Sequence, residues 1–173
     1  MRRSMGDGFD WHGQLRSCLE STHYCALSTS GPGGAWANPV FFSADDDYSL
    51  LFISLPGARH MAHLDQDPRV AVAIFSTAQA PGEDVVGIQL GGRAIRLPDD
   101  DVPSACERYF ARSGAAVAAG VDEPDPSDFL GDGPATWKFV RITPTELWYF
   151  DTRFFGEERV AVPPEIWAPA RRP

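Results

Sequence analysis

The residues best suited to chemistry are gathered in one stretch, Ser54-Leu-Pro-Gly-Ala-Arg59-His60-Met-Ala-His63-Leu-Asp-Gln-Asp67-Pro68-Arg69. The run before it, Ser49-Leu-Leu-Phe-Ile-Ser54, reads as a buried strand. Pro56-Gly57 suits a tight turn, and Arg59 to Gln66 reads as a short helix that Asp67-Pro68 stops. Arg59 and His60 therefore fall in the first helical turn, where unpaired N–H groups and the macrodipole already place partial positive charge. Basic residues there cost up to about 1 kcal/mol unless something negative binds. A bound phosphate resolves the conflict, and so does an arginine that points into solvent. The same stretch holds a second arrangement, because His60, His63 and Asp67 could share a helix face and ligate a metal. It lacks a fourth ligand, and no metal site is expected.

Other chemistries find less support. Ser30-Gly-Pro-Gly-Gly34 is glycine-rich but has neither the lysine of a phosphate-binding loop nor the elbow of a serine hydrolase, so it reads as a flexible hairpin loop. Asp45-Asp46-Asp47 reads as a solvated hairpin turn, since a calcium loop spreads its ligands over about twelve residues. Cys18, Cys25 and Cys106 are odd in number and widely spaced, which fits buried reduced thiols better than disulfides or zinc.

The elements that must position these residues follow from periodicity. Trp11, Leu15, Cys18 and Leu19 recur at helical spacing behind Asp10, a plausible N-cap, and that helix ends near Ser21-Thr22. Strands are expected at Tyr24–Ser28, Ala35–Ser43, Tyr48–Ser54, Arg69–Ser76 and Val85–Leu97. Asp99-Asp100-Asp101 opens a second helix carrying Val102, Cys106, Tyr109 and Phe110, which Ser113-Gly114 stops. Gly120 to Pro134 is rich in Pro, Asp and Gly and reads as a long surface loop near a site mouth. Two closing strands, Thr136–Ile142 and Glu146–Phe150, are expected to meet at Thr143-Pro144, and the tail after Val162 reads as irregular. The whole is one domain over residues 1–173, with a core of about residues 10–162, a loop at about 114–134 and a mainly β (α+β) fold. One β-barrel with peripheral helices fits better than alternating βαβ units.

Composition bounds the partners. The 173 residues carry a formal charge of −9 with 43% hydrophobic residues, enough for one core and poorly suited to a nucleic-acid backbone or an anionic membrane surface. The N-terminus lacks an apolar signal core, and no apolar run approaches the roughly 18 residues of a membrane span. A cytoplasmic location is the expectation.

Over roughly Leu15 to Arg159 the chain resembles the split barrels that bind flavin mononucleotide, a family of pyridoxamine 5'-phosphate oxidase-like and flavin reductase-like proteins, and the resemblance implies a six-stranded split β-barrel with peripheral helices. The sharpest match is the opening stretch. In that family a strand-end hydroxyl is followed five residues later by an Arg-Lys pair and then by Asn-Pro; here Ser54, Arg59-His60 and Asp67-Pro68 keep the spacing. The resemblance implies that Ser54, Arg59 and His60, with Ile53 beside them, hold the flavin phosphate. It implies that Asn38, Pro39, Val40 and Phe41 lie along the isoalloxazine ring and that Gln89, in Gly87-Ile-Gln-Leu-Gly-Gly-Arg93, meets its pyrimidine edge. It also implies a homodimer with the cofactor at the subunit interface, aromatics such as Trp137 or Phe150 reaching across, and Arg159 approaching the flavin.

The departures from that pattern bear on the substrate. His60 stands where the family more often has lysine, and histidine loses its charge near pH 6.5. Asn38 and Ser43 replace an arginine and a lysine of the oxidases. The closing Arg-x-His pair that grips a substrate phosphate is absent, and Phe154-Phe155-Gly-Glu157-Glu158-Arg159 stands there instead. The implied function is a flavin mononucleotide-dependent oxidoreductase acting by hydride transfer on a small organic substrate other than pyridoxamine phosphate. Two alternatives stand beside it: a non-catalytic flavin- or haem-binding carrier, and a reductase using the deazaflavin F420. No side chain is assigned a catalytic role.

Overall fold

The computed structural model describes residues 8–113 and 124–168. Its first helix, α1 (Trp11–Glu20), is capped by Asp10, whose side chain accepts from the Gly13 backbone N–H, and buries Trp11, Leu15 and Cys18. The strands β1 (Tyr24–Gly31), β2 (Gly34–Phe41), β3 (Ser43–Ala44) and β4 (Leu50–Ser54) follow. Then come α2 (Arg59–Leu64), β5 (Arg69–Phe75), β6 (Val86–Arg96), α3 (Val102–Ser113), β7 (Lys138–Asp151) and β8 (Arg159–Ala161). All eight strands belong to one antiparallel sheet of order β2-β1-β5-β6-β7-β4-β3, with β8 paired to β7. Six strands are long and two are two- or three-residue stubs, so the expected six-stranded split barrel is the observed plan.

Alternation decides which face each strand buries. On β5, Val70, Val72 and Ile74 point to the core, leaving Ala71, Ala73 and Phe75 on the outer face. Register carries that outer face across the sheet, because Ala73 is opposite Ala26 on β1 and Gln89 on β6, and Gln89 is opposite Trp148 on β7. One large core under the sheet includes Leu15, Leu27, Phe52, Met61, Ile74 and Tyr149. A smaller cluster joins Leu51 and Phe139 to Val102, Cys106 and Tyr109 of α3. The three cysteines are buried free thiols, and burial pushes Cys18 and Cys25 up to about 12.

Four expectations are corrected. The two closing strands are one fourteen-residue strand, β7. Its proline is accommodated because the pairing with β6 slips there: Gly92 is opposite Pro144 while Gly91 is opposite Glu146, so the missing N–H falls at a bulge. The described part of the 114–134 loop is not simply surface, since a 3₁₀ turn over Pro126–Phe129 buries Phe129 against α3 and β7; residues 114–123, including the helix stop at Gly114, lie outside the described residues. The tail forms a helical turn, Pro164–Trp167, in which the Trp167 indole donates to the Val162 carbonyl at 3.1 Å. The aspartate turn is clamped by arginines, with Arg108 on Asp45 at 3.2 Å and Arg141 on Asp47 at 2.7 Å.

Candidate functional site

The candidate site is built where the β1–β2 hairpin meets α2. Gly31 and Gly34 are paired across a two-residue Pro32-Gly33 turn, so the glycine-rich segment is a tight hairpin and not a loose loop. Gly31 is required by what packs on it: a Cβ there would stand 2.5 Å from the His63 ring. The strand before α2 ends at Ser54, and the Ala58 N–H donates to the Leu55 carbonyl at 3.1 Å, closing the expected turn over Pro56-Gly57.

Arg59 is exposed but fixed in place. Its guanidinium lies 4.5 Å from the centroid of the Trp36 ring, donates through Nη2 to the Gly33 carbonyl at 3.2 Å and through Nε to His63 Nε2 at 3.5 Å. Because an arginine nitrogen only donates, His63 Nε2 carries a lone pair there. The His63 proton is then on Nδ1, which donates to the Thr29 hydroxyl at 3.1 Å. Of the five guanidinium N–H bonds, both on Nη1 and one on Nη2 remain for a ligand.

His60, expected in the phosphate clamp, lies buried behind Arg59. It is 5% exposed, and its Nε2 meets the Ser54 hydroxyl at 2.7 Å, so two of the three residues expected to hold a phosphate are engaged with each other. Burial, and secondarily the neighbouring His63, holds the His60 ring below its ordinary value and therefore neutral at pH 7. The structure thus gives this helix start a single surface cation, Arg59, with a buried Ser54–His60 pair behind it. The His60, His63 and Asp67 arrangement is likewise taken up by protein partners. Asp67 is bound through both oxygens by Arg69, whose hydrogen bonds pull it down to about 2. Among the described residues no group of three ligating side chains could hold a metal ion.

The remaining expected residues fall on two faces. Trp36, Asn38 and Val40 alternate with Ala37 and Pro39 on β2, so Asn38 shares the face of the Arg59-stacked Trp36, while Val40 on that face is buried. The Asn38 amide donates to the Pro39 carbonyl at 3.1 Å. Ile53 and Phe41 are half-buried against the smaller cluster around α3, away from the Arg59 guanidinium contacts. Pro39 looks outward into a cleft of about 430 Å³ shared with Tyr24, Ala26, Ala73 and Phe75. Gln89 lies exposed on that outer face, beside Trp148. Phe150 is there too, lying over Gly87, with the Arg159 guanidinium 5.1 Å from its ring centroid. Trp137, just before β7, is 45% exposed. Within one chain the Arg59 group and the Gln89–Phe150–Arg159 group share no side-chain contact among those described.

Trp36, Thr29 and His63 as supports of Arg59 were missed from sequence. Alternation from Asn38 points to Trp36 as the neighbour on the same face, but only the hairpin's return brings it under Arg59.

A family model described as pyridoxamine 5'-phosphate oxidase matches residues 12–150. The chain belongs to the pyridoxamine 5'-phosphate oxidase family. No curated protein matches its sequence. Among solved structures it is similar to a heme binding protein from Mycobacterium smegmatis, with a TM-score of 0.65 and 17% identity over 97% of this chain; that protein is longer, and 61% of it is covered. It is similar also to an FAD-binding protein from Mesorhizobium loti, with a TM-score of 0.60 and 16% identity over 79% of this chain and 90% of that one. A heme storage protein from Vibrio cholerae has a TM-score of 0.57 and 13% identity over 78% of this chain and 91% of that one. At these identities the likeness is one of fold, so what this family member binds rests on its own residues. No helix among the described residues is long and apolar enough to cross a membrane.

Proposed function

We propose that this family member binds flavin mononucleotide and acts as an oxidoreductase on a small organic substrate other than pyridoxamine phosphate. The observation that carries the reading is the preset Arg59 guanidinium, held by Trp36, Gly33 and His63 with three N–H bonds turned to solvent. A planar fork already immobilised by protein contacts loses little freedom when a phosphate docks on it. Arg59 fits the phosphate. The neutral His60 fits as a support for Ser54 and not as a second cation.

Bound flavin supplies hydride transfer. The chain's own residues bind and orient: Asn38 and Pro39 border the ring, and the exposed Gln89 amide offers a donor and an acceptor to its polar edge. Because Gln89, Phe150 and Arg159 lie on the outer face, away from Arg59, one cofactor meets both groups where two subunits join. The outer face suits a second copy, for it exposes Tyr24, Phe75 and Trp148 around the small residues Ala26, Ala37 and Ala73. We therefore propose a homodimer with cofactor at its interface. The exposed Glu157 and Glu158 stand where the oxidases grip a substrate phosphate and would repel one.

A carrier without turnover is the second reading, favoured by the burial of His60 and His63, whose rings already meet Ser54, Thr29 and Arg59. Reconstitution separates the two. Flavin that binds and is then reduced by a nicotinamide cofactor and reoxidised by an acceptor supports the enzyme. Flavin that binds inertly, or haem bound in its place, supports the carrier.

A further inference from the structure

Arg59 is exposed, yet the chain of contacts that aims it runs inward to a buried hydroxyl. Its Nε–H donates to His63 Nε2 at 3.5 Å, and His63 Nδ1 meets the Thr29 hydroxyl of β1 at 3.1 Å. Both Thr29 and His63 are buried. A ring nitrogen that accepts from a guanidinium carries no proton, so the neutral His63 ring has its hydrogen on Nδ1, and Thr29 is what receives it.

The ring is also held from the side. A Cβ on Gly31 would stand 2.5 Å from His63 Cδ2 and 2.8 Å from Nε2, so that glycine leaves the space in which this edge of the ring lies. The hairpin tip fits the guanidinium as closely, for a Cβ on Gly33 would stand 2.9 Å from Arg59 Nη2. Arg59 and His60 are the charged and titratable neighbours of His63 on its own helix, and Asp67 just beyond that helix is bound by Arg69. From β1 the ring meets an uncharged hydroxyl and a glycine. The His63 proton is therefore placed by Thr29 on one side and Arg59 on the other.

We propose that Thr29 is a positioning residue for phosphate recognition: by holding the His63 proton on Nδ1, it keeps Nε2 open to Arg59 and the guanidinium aimed outward. A proton on Nε2 would instead set two N–H groups against each other, and Arg59 would swing off His63 and with it off Gly33 and Trp36. Preference for a phosphorylated flavin over a phosphate-free one then depends on a buried threonine two contacts removed from the N–H groups that face solvent. That consequence rests on the flavin reading, whereas the placement of the proton does not.

Thr29→Val and Thr29→Ser in the full chain, with isotope-labelled histidine and arginine followed by nitrogen NMR, test it. In the wild type the His63 resonances, assigned by their loss in His63→Gln, should show Nδ1 protonated and Nε2 bare, beside a hydrogen-bonded Arg59 Nε–H. Thr29→Val leaves Nδ1–H buried without an acceptor, so the proton should move toward Nε2 and the Arg59 signal should be lost. Thr29→Ser keeps the hydroxyl and should restore both. Flavin mononucleotide affinity should fall about two- to tenfold in Thr29→Val, the worth of one immobilised side chain, with riboflavin affinity unchanged and Thr29→Ser near the wild type. A merely structural role would instead lower the melting temperature and both flavin affinities together. Wild-type His63 protonated on Nε2, or a Thr29→Val protein in which the proton, the Arg59 signal or the phosphate preference is unchanged, would overturn the proposal. A wild type that binds no flavin but shows these NMR changes supports the placement of the proton and overturns the flavin reading alone.

Discussion

The Arg59 guanidinium rests on the face of Trp36, 4.5 Å from the ring centroid, so the cation that begins α2 is aimed by a residue of β2. An exposed cation–π contact of this kind is worth about 0.5–1 kcal/mol. Trp36→Leu is therefore expected to weaken flavin mononucleotide binding by about two- to fivefold and to leave the melting temperature nearly unchanged, because Trp36 is 39% exposed. Fluorescence titration and a thermal melt on the same sample check both halves.

Acid should loosen the fold through His60. Its ring is held below the ordinary value near 6.5, so the unfolded chain binds the proton more readily than the native one. The stability this group contributes is fully present above about pH 6.5 and is lost as pH falls from there through the lower native value. Urea midpoints at pH 7.5 and 5.5 should fall on acidification in the wild type, and fall less in His60→Gln. An equal fall in both would show that other groups carry the acid response.

A second lesion lies at the end of β7. Asp151 is fully buried; burial alone would raise its carboxyl, but hydrogen bonds from Arg153 and from the Tyr149 hydroxyl at 3.0 Å outweigh it and hold the group below the usual carboxylate range. Asp151→Asn should cost about 1–3 kcal/mol, read as a lower urea midpoint with an unchanged slope.

The chain order of helix and strands was legible because alternation is strong on β1 and β5, because β4 is a continuous apolar run, and because Asp10 and the Asp99–Asp101 run mark helix starts. The single long β7 was not, since Pro144 is read locally as a breaker and only pairing with β6 reveals the bulge that tolerates it. In the same way the sequence placed Arg59 and His60 side by side as two cations. Their different fates depend on tertiary contacts: His60 turns inward to Ser54, while Arg59 turns outward onto Trp36. Asp45 looked solvated for a similar reason, as its partners Arg108 and Arg141 are remote in sequence.

Gly87 tests the outer face. A Cβ at this position would stand 2.3 Å from Phe150 and 2.6 Å from the Ile74 carbonyl, and the backbone contact cannot be relieved by a rotamer change. Gly87→Ala should destabilise by about 1–3 kcal/mol and displace the Phe150–Arg159 stack. A melt together with near-ultraviolet circular dichroism reads both effects.

The proposed dimer places charge-sensitive positions at Ala73 and Trp148 on the outer face. Ala73→Glu with Trp148→Glu should yield monomers by light scattering while leaving the far-ultraviolet spectrum intact. Monomeric wild-type protein would remove the shared site.

The proposed hold of Arg59 on a flavin phosphate is measured directly by flavin mononucleotide affinity, followed at about 450 nm, for the wild type and Arg59→Ala beside riboflavin as a phosphate-free control. Wild-type protein should bind flavin mononucleotide well above riboflavin, and Arg59→Ala should lose about 10- to 150-fold, or roughly 1.5–3 kcal/mol, from the nucleotide alone. Equal affinity of the wild type and Arg59→Ala for flavin mononucleotide, or a wild type that binds no flavin at all, would contradict the account.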